Sequence, residues 1–160
     1  DYLKTRVGKK VTIVSPDAGG VERARAYAKR LHAHLAIIDK RRPKANESAV
    51  MHIIGDVEGC DCVIVDDMVD TAGTLTNSAA ALTEAGARKV LAAATHGILS
   101  GPAIGRLSES VIQELVITDT IPINDERKQE GKITVVSCAK LLGEAIKRIH
   151  TGDSVSGLFS

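Results

Sequence analysis

"VIVDDMVDTAGT" (residues 63–74) is the stretch of sequence that decides the fold. Its apolar beginning is typical of a buried strand, and two acids, Asp66 and Asp67, stand where that strand would end. Residues 73–87 then show the pattern of a helix that stops at Gly86. Because a strand leads through a tight turn into a helix, this stretch indicates one unit of an α/β domain.

The rest of the chain shows the same alternation of strand-like and helix-like segments. We predict strands at residues 11–15, 35–39, 50–55, 62–67, 89–97, 114–120 and 132–138, and helices at residues 18–35, 73–87, 101–110 and 139–152. Strands that are apolar throughout favour burial on both faces of a sheet. We therefore predict an α/β fold with a mostly parallel, twisted sheet and helices on both faces. Residues 40–50 are polar, begin with three basic side chains and are predicted to form a loop.

Length and composition are those of an ordinary single domain. The 160 residues are 44% hydrophobic and 26% charged, and the formal net charge is +1. So small a charge gives no general attraction to nucleic acid or membranes, and no apolar run approaches the roughly 18 residues of a membrane span. We therefore expect neither nucleic acid nor membrane as a partner. Because the sequence opens at Asp1 without Met, we expect a fragment or a cleaved product.

The three cysteines, Cys60, Cys62 and Cys138, favour reduced thiols in a cytoplasmic protein. Their number is odd, and a chain of this length does not need disulfides for stability. Cys60 and Cys62 could supply two ligands of a metal site, but no second pair of cysteines or histidines stands at the spacing that zinc sites use. We prefer a structural role for these thiols.

The acids of residues 66–70 require a ligand that offers hydrogen-bond donors. A vicinal diol offers two donors, and Asp66 and Asp67 can accept from both, at roughly 1.5–3 kcal/mol for each charge-assisted bond. The bend that follows suits a phosphate, because successive N–H groups and a helix start attract anions. We assign the phosphate site to Asp70, Thr71, Ala72, Gly73 and Thr74. A sugar with a diol and a phosphate at opposite ends explains the whole segment, and the alternative is an acidic N-cap on an ordinary helix.

Residues 63–74 resemble the phosphoribosyl pyrophosphate (PRPP) binding signature of type I phosphoribosyltransferases and PRPP synthetases, in which two acids and two spacers precede D-T-x-G-T. Further segments resemble ribose-phosphate pyrophosphokinases, the PRPP synthetases: "VSPDAGGVERARAYAKRL", "AIIDKRRPKANESAV", "ATHGILSGPA", "VITDTIP" and "SVSGLF". This resemblance extends over essentially all 160 residues, but only to the C-terminal half of the family chain. It implies a type I phosphoribosyltransferase-like fold, with residues 1–152 as a ribose 5-phosphate-binding domain and residues 153–160 as a tail. The family's N-terminal half, which supplies much of the ATP site, is absent from the sequence.

The resemblance also implies a reaction and roles for individual residues. The diphosphoryl group of ATP moves to the 1-hydroxyl of ribose 5-phosphate, giving PRPP and AMP. Lys40 and Arg42 match a mobile catalytic loop over the transferring phosphates, whereas the sequence alone favours a solvated basic loop. Asp17 matches a position that binds Mg²⁺, and without the resemblance a helix N-cap is preferred. We assign no role to Arg41 or His96.

Regulation and assembly are implied by the same resemblance. Ser154 and Ser156 match positions near a regulatory phosphate or ADP site between subunits, and the family implies a homo-oligomer, a hexamer. Two alternatives stay open: a phosphoribosyltransferase that uses PRPP and a base, and a non-catalytic ribose-phosphate-binding or regulatory subunit. We expect this chain alone to bind ribose 5-phosphate and to turn over slowly or not at all.

Overall fold

A seven-stranded sheet forms the centre of the protein in the computed structural model, which describes residues 1–41 and 50–158. The strands are β1 (Val11–Ser15), β2 (His34–Arg41), β3 (Val50–Ile54), β4 (Asp61–Val69), β5 (Lys89–Gly97), β6 (Glu114–Thr118) and β7 (Ile133–Val136). The helices are α1 (Val21–Leu31), α2 (Gly73–Glu84), α3 (Ala103–Glu109), α4 (Asp125–Glu130) and α5 (Ala139–Thr151). Two 3₁₀ turns, Tyr2–Thr5 and Ser156–Leu158, lie near the ends of the sequence.

The order of the strands creates a crevice at one edge of the sheet. The order is β3-β2-β1-β4-β5-β6-β7, and every neighbouring pair is parallel except β2 with β3. The predicted α/β fold with a mostly parallel sheet is therefore confirmed. From β1 the chain winds outward to β2, whereas from β4 it winds the other way through β5 to β7. Open α/β sheets bind ligands at such a reversal, beyond the carboxyl ends of the strands.

Buried side chains cover both faces of the sheet. Val63 of β4 belongs to a core cluster that includes Ala24 of α1. The next residue, Ile64, belongs to a second cluster that includes Leu82 of α2. Because successive side chains of a strand point to opposite faces, α1 covers one face and α2 the other. The predicted helices on both faces are confirmed.

All three cysteines are free thiols. Cys60 and Cys62 are fully buried in the same core cluster as Ile64. Burial raises the pKa of Cys62 to about 12, so its thiol is protonated at neutral pH. The buried thiols pack as small apolar groups, which agrees with the structural role that the sequence favours.

The prediction of a loop over residues 40–50 is wrong at its beginning. β2 continues through Lys40 to Arg41, because it pairs with antiparallel β3 and aligns Lys40 with Met51. The hydrogen bonds of this pairing come from the backbone, so polar side chains do not interrupt it. Arg42, which we predicted to be catalytic, lies outside the described residues.

Helix α4 was not predicted, because its sequence "DERKQE" has no apolar residue and therefore no helical period. The helix depends on its N-terminus instead. The N–H of Arg127 donates to Asn124 Oδ1 at 3.0 Å, and Asp125 and Glu126 place negative charge in the first turn. An Asn followed by two acids is the signal from which this helix could be predicted.

Glu114 joins the N-terminal segment to the sheet. This carboxylate is buried at the start of β6 and accepts three hydrogen bonds. Tyr2 Oη donates at 2.5 Å, Arg6 Nε at 2.7 Å and Thr134 Oγ1 of β7 at 2.6 Å. Burial by itself raises the pKa of Glu114, but the three donors outweigh burial and hold this pKa below its ordinary value.

We expect Glu114→Gln to lower the free energy of unfolding at pH 7 by about 1–2 kcal/mol, because a charged acceptor is lost beside partly exposed Arg6. The folded-state pKa lies below the unfolded value, so this contribution is complete above the ordinary 4.5 and is lost as the pH falls through the folded pKa. Urea unfolding of the wild type and the variant at pH 7 and at pH 3 measures the difference. Glu84→Gln, at the exposed C-terminal end of α2, is the control. An equal loss at both pH values would contradict the assignment.

Helix α5 exposes apolar side chains. None of its residues is buried, and Leu141, Leu142, Ile146 and Ile149 are 44%, 55%, 68% and 71% exposed. These four side chains give α5 an exposed apolar face, a kind of surface that protein interfaces use. In the ranges that the structure describes, no helix combines the length and apolar content needed to cross a bilayer.

Candidate functional site

A cleft of about 250 Å³ lies at the crevice between β1 and β4. Asp17, which follows β1, and Asp66, near the end of β4, both line this cleft. The other lining residues are Met68, Val69, Asp70, Thr71, Ala72, Gly73, Thr74 and Leu75. The predicted residues Asp17, Asp66 and 70–74 therefore meet at the carboxyl edge of the sheet, whereas Asp67 is beside Asp66 in β4 and does not line the cleft.

Asp66 and Asp67 lie where β4 leaves the core, so Asp66 is half-buried and Asp67 is exposed. The backbone orients both carboxylates: Asp67 N–H donates to Asp66 Oδ1, and Met68 N–H donates to Asp67 Oδ1, each at 2.9 Å. A third side chain, which the sequence did not predict, forms ion pairs with both carboxylates. Arg23 of α1 places Nη1 at 3.1 Å from Asp66 Oδ1 and Nη2 at 3.2 Å from Asp67 Oδ2.

The two acids of this pair differ in their pKa values. Burial is the main cause that raises the pKa of Asp66. The hydrogen bond with Asp66, with a further contribution from the charge of Arg23, lowers the pKa of Asp67. Asp67 is therefore ionised at neutral pH, and on acidification Asp66 takes up the first proton.

The bend after β4 reverses the chain at Ala72, which has a left-handed φ of +61°. Two long-range contacts fix this bend. Ser100 donates its N–H to the carbonyl of Asp70 at 3.1 Å and its hydroxyl to Asp70 Oδ1. Arg106 Nη1 of α3 donates to the carbonyl of Thr71 at 3.0 Å. The first-turn N–H groups of α2 lack partners within the helix, so the bend offers donors to an anion.

Gly73 lets Arg106 approach the bend. A Cβ on Gly73 would stand 3.2 Å from Arg106 Nη1, tighter than most such contacts. Neither Arg23 nor Arg106 was predicted from the sequence. Arg23 stands in the first turn of α1, directly after Asp17 and β1, and this position is the signal that could have identified it. Arg106 stands in the last turn of α3, where no local signal points to the bend.

Asp17 lies just before α1, but the N-cap residue of this helix is Gly20, so the N-cap role that the sequence alone favours for Asp17 is wrong. Its Oδ1 accepts the N–H of Gly20 at 2.9 Å just before α1, and Ser15 Oγ donates to its carbonyl at 2.7 Å. Within the described chain, no group of three His, Cys, Asp or Glu side chains could enclose a metal. Mg²⁺ is commonly held by one or two carboxylates together with substrate phosphates and water. Asp17 at the cleft fits that mode of binding.

Lys40 lies close to this cleft although it is part of β2. Its side chain is half-buried, and burial lowers the pKa of Lys40. The charges of Asp17 and Asp66 oppose this shift, which requires both carboxylates to be near the ammonium group. The strand thus brings a cation toward the acids, whereas the sequence placed it in a loop.

Ser154 and Ser156 lie in the C-terminal tail and are exposed. Ser156 N–H donates to Ser154 Oγ at 3.3 Å, and Arg148 Nη1 of α5 donates to the carbonyl of Ser154 at 2.9 Å. Leu158, at the end of the same tail, lines a separate cavity with Tyr27 of α1. The tail is therefore folded against the domain up to this residue.

Comparison with known proteins identifies the family. The model of the phosphoribosyl synthetase-associated domain matches residues 42–160. Ribose-phosphate pyrophosphokinase of Caldanaerobacter subterraneus subsp. tengcongensis is 58% identical over 159 residues, which are 99% of this chain and 50% of that protein. The Bordetella pertussis protein of the same name is 59% identical over 150 residues, 94% of this chain and 48% of that protein. The chain thus spans about half the length of the curated relatives it matches.

Solved structures agree with this comparison. Phosphoribosylpyrophosphate synthetase from Mycobacterium smegmatis superposes with a TM-score of 0.82 at 36% identity, over 94% of this chain and 50% of that one. A purine phosphoribosyltransferase from Pyrococcus horikoshii shares the fold, with a TM-score of 0.53 at 22% identity over 85% of this chain and 79% of that one. The resemblance inferred from the sequence is confirmed. Because the family model covers most of the chain, this protein belongs to the phosphoribosyl synthetase-associated domain family and is a relative of ribose-phosphate pyrophosphokinases.

Proposed function

We propose that this chain supplies the ribose 5-phosphate site of an enzyme that makes PRPP and AMP from ATP and ribose 5-phosphate. The observation that supports this most is the cleft at the strand-order reversal, where an acidic pair and an anion-binding bend adjoin. The names of the relatives support PRPP synthesis in general. Since the chain spans about half of those relatives, ATP binding by this chain alone is not part of the proposal.

In this proposal the two ends of the sugar bind to different parts of the cleft. The 2- and 3-hydroxyls of ribose donate to Asp66 and Asp67. The 5-phosphate accepts from the N–H groups of residues 71–74 and from the hydroxyls of Thr71 and Thr74. The dipole of α2 adds to the attraction. The sugar is thereby held at both ends, which directs its 1-hydroxyl at the incoming nucleotide.

The chemical step is a displacement at phosphorus. The 1-hydroxyl oxygen forms a bond to the β-phosphorus of ATP, the bond to the α,β-bridging oxygen breaks, and AMP leaves while the hydroxyl proton is released. Lys40, with Arg42, stabilises the negative charge that develops on the transferring oxygens. Mg²⁺, when bound, neutralises phosphate charge, and Asp17 is the carboxylate that we propose as its protein ligand.

Binding of sugar analogues to this chain tests the proposal directly. We expect ribose 5-phosphate to bind in calorimetry, and 2-deoxyribose 5-phosphate to bind about tenfold or more weakly, because one charge-assisted hydrogen bond is lost. Ribose, which lacks the phosphate, tests the contribution of the bend and should also bind more weakly than ribose 5-phosphate. Equal affinity for the deoxy sugar would show that the acidic pair does not bind the 2-hydroxyl.

The two alternatives are separated by further assays. Nucleotide formation from PRPP and a purine or pyrimidine base would favour a phosphoribosyltransferase. The likeness to the Pyrococcus enzyme is below 25% identity and indicates the fold alone. A non-catalytic binding subunit differs from our proposal only in the activity of the whole assembly. For the isolated chain we propose binding of ribose 5-phosphate with slow turnover or none.

The proposal extends to assembly, regulation and location. We propose a homo-oligomer, which the exposed apolar face of α5 supports, while a hexamer rests on the family resemblance. A regulatory role for Ser154 and Ser156 rests on that resemblance as well. A cytoplasmic location is supported by the three free thiols.

A further inference from the structure

Arg23 connects helix α1 to both acids at the end of β4. Its two terminal nitrogens lie at 3.1 Å from Asp66 Oδ1 and at 3.2 Å from Asp67 Oδ2. The side chain of Arg23 is 34% exposed, and those of Asp66 and Asp67 are 28% and 53% exposed. Solvent therefore screens the Arg23–Asp66 interaction less than it screens a surface pair, whereas the Arg23–Asp67 pair is more exposed.

Three of the four oxygens of the acidic pair have donors in the described ranges. Asp66 Oδ1 accepts from Arg23 Nη1 and from the N–H of Asp67. Asp67 Oδ2 accepts from Arg23 Nη2, and Asp67 Oδ1 accepts from the N–H of Met68. In the described ranges, every hydrogen bond that Asp66 accepts ends on Oδ1, which leaves Oδ2 as its oxygen for a substrate hydroxyl.

An arginine is suited to this position for two physical reasons. Adjacent carboxylates repel each other, and a cation shared between them offsets that repulsion. The guanidinium is also planar, with its donors in a fixed fork, so it sets the angle between two carboxylates as well as their charge. A lysine ammonium supplies a similar charge without this geometry.

We propose that Arg23 is a positioning residue, whose guanidinium holds the carboxylates of Asp66 and Asp67 in the orientation that accepts the two adjacent hydroxyls of the sugar. This inference rests on the proposed ribose 5-phosphate site and adds to it a residue outside the 63–74 segment. Arg23 acts through the acids and does not itself bind the sugar.

Substitution of Arg23 tests the proposal in calorimetry with ribose 5-phosphate. We expect Arg23→Ala to raise the Kd by about tenfold to one-hundredfold, because both acceptors lose a charge-assisted hydrogen bond that orients them. Arg25→Ala is the matched control, since Arg25 is exposed on the same helix, and its Kd should stay within about twofold. Arg23→Lys should recover only part of the loss. An unchanged Kd in Arg23→Ala would overturn the proposal.

A double-mutant cycle separates positioning from a general structural role. If Arg23 acts through the acids, Arg23→Ala should cost several-fold less affinity in an Asp67→Asn background than in the wild type. Independent effects that multiply would overturn the proposal. Circular dichroism of each variant shows whether the fold persists, and the cycle is evaluated on folded protein.

A titration without ligand keeps this inference separate from the proposed function. Failure of the wild type to bind ribose 5-phosphate would refute the proposed function. Arg23 is then still tested by carboxyl NMR, in which Arg23→Ala should raise the pKa of Asp67, since the charge of Arg23 contributes to its lowering. The other charged groups near the pair, Asp17 and Lys40, are unchanged in this variant. An unaltered titration of Asp67 would overturn the positioning role.

Discussion

Lys40→Ala should lower kcat by about 100-fold to 1,000-fold in a preparation that converts ATP and ribose 5-phosphate to PRPP, the usual cost of one preorganised transition-state donor. The half-buried ammonium group lies near Asp17 and Asp66, where the phosphates are proposed to react. Its charge interacts most strongly with the transition state, in which negative charge builds on the transferring oxygens. The Kd of ribose 5-phosphate should therefore change by no more than about threefold.

Rapid-quench measurement of AMP formation gives kcat for the wild type and for Lys40→Ala. Lys29→Ala, an exposed lysine of α1, is the matched control and should retain full activity. Because burial lowers the pKa of Lys40, the alkaline loss of activity should begin below the pH expected for a free lysine. If the substitution raised KM and left kcat intact, Lys40 would be a binding residue and the catalytic assignment would be wrong.

Asp66→Asn should have the opposite pattern and weaken ribose 5-phosphate binding by about tenfold to one-hundredfold, since a charged acceptor becomes a neutral one of equal size. The pH dependence gives an independent check. The pKa of Asp66 is raised by burial, so the wild type should lose affinity on acidification at a pH above the ordinary 3.8. Protonation turns one acceptor oxygen of Asp66 into a donor and removes its charge, so the loss of affinity should follow its protonation.

Calorimetry across pH 4 to pH 8 measures both effects for Asp66→Asn. The loss of affinity that remains below the titration of the ligand's phosphate, whose second pKa is about 6, should be reduced in this variant, because the carboxyl of Asp66 has been removed. Glu84→Gln, at the opposite end of α2 from the bend, is the matched control and should bind as the wild type does. If Asp66→Asn bound ribose 5-phosphate with wild-type affinity, the assignment of the sugar's diol to Asp66 would be wrong.

Local sequence was enough to predict most of the sheet. Strands such as β4 and β5 are apolar on both faces, so their burial follows from composition alone. The acids and the bend could be located because they lie in the last part of β4 and directly after it. The antiparallel extension of β2 through Lys40 could not be predicted, since it depends on backbone pairing with β3, which side-chain pattern does not encode.

The contacts that complete the site come from distant parts of the chain. Arg23 lies 43 residues before Asp66, and Arg106 lies 35 residues after Thr71. Neither spacing is a sequence motif, and both arginines occur among many other cations in helical segments. Only the order of the strands brings the starts of α1, α2 and α3 to the same edge, so these contacts became visible in the folded structure.

A crystal structure of this chain with ribose 5-phosphate would show whether the sugar binds at the acids and the bend. We predict density for the phosphate at about 2.7–3.2 Å from the N–H groups of residues 71–74, and for the 2- and 3-hydroxyls at similar distances from the carboxylates of Asp66 and Asp67. A ligand bound in another crevice, or a bend without phosphate density at saturating ligand, would contradict the account.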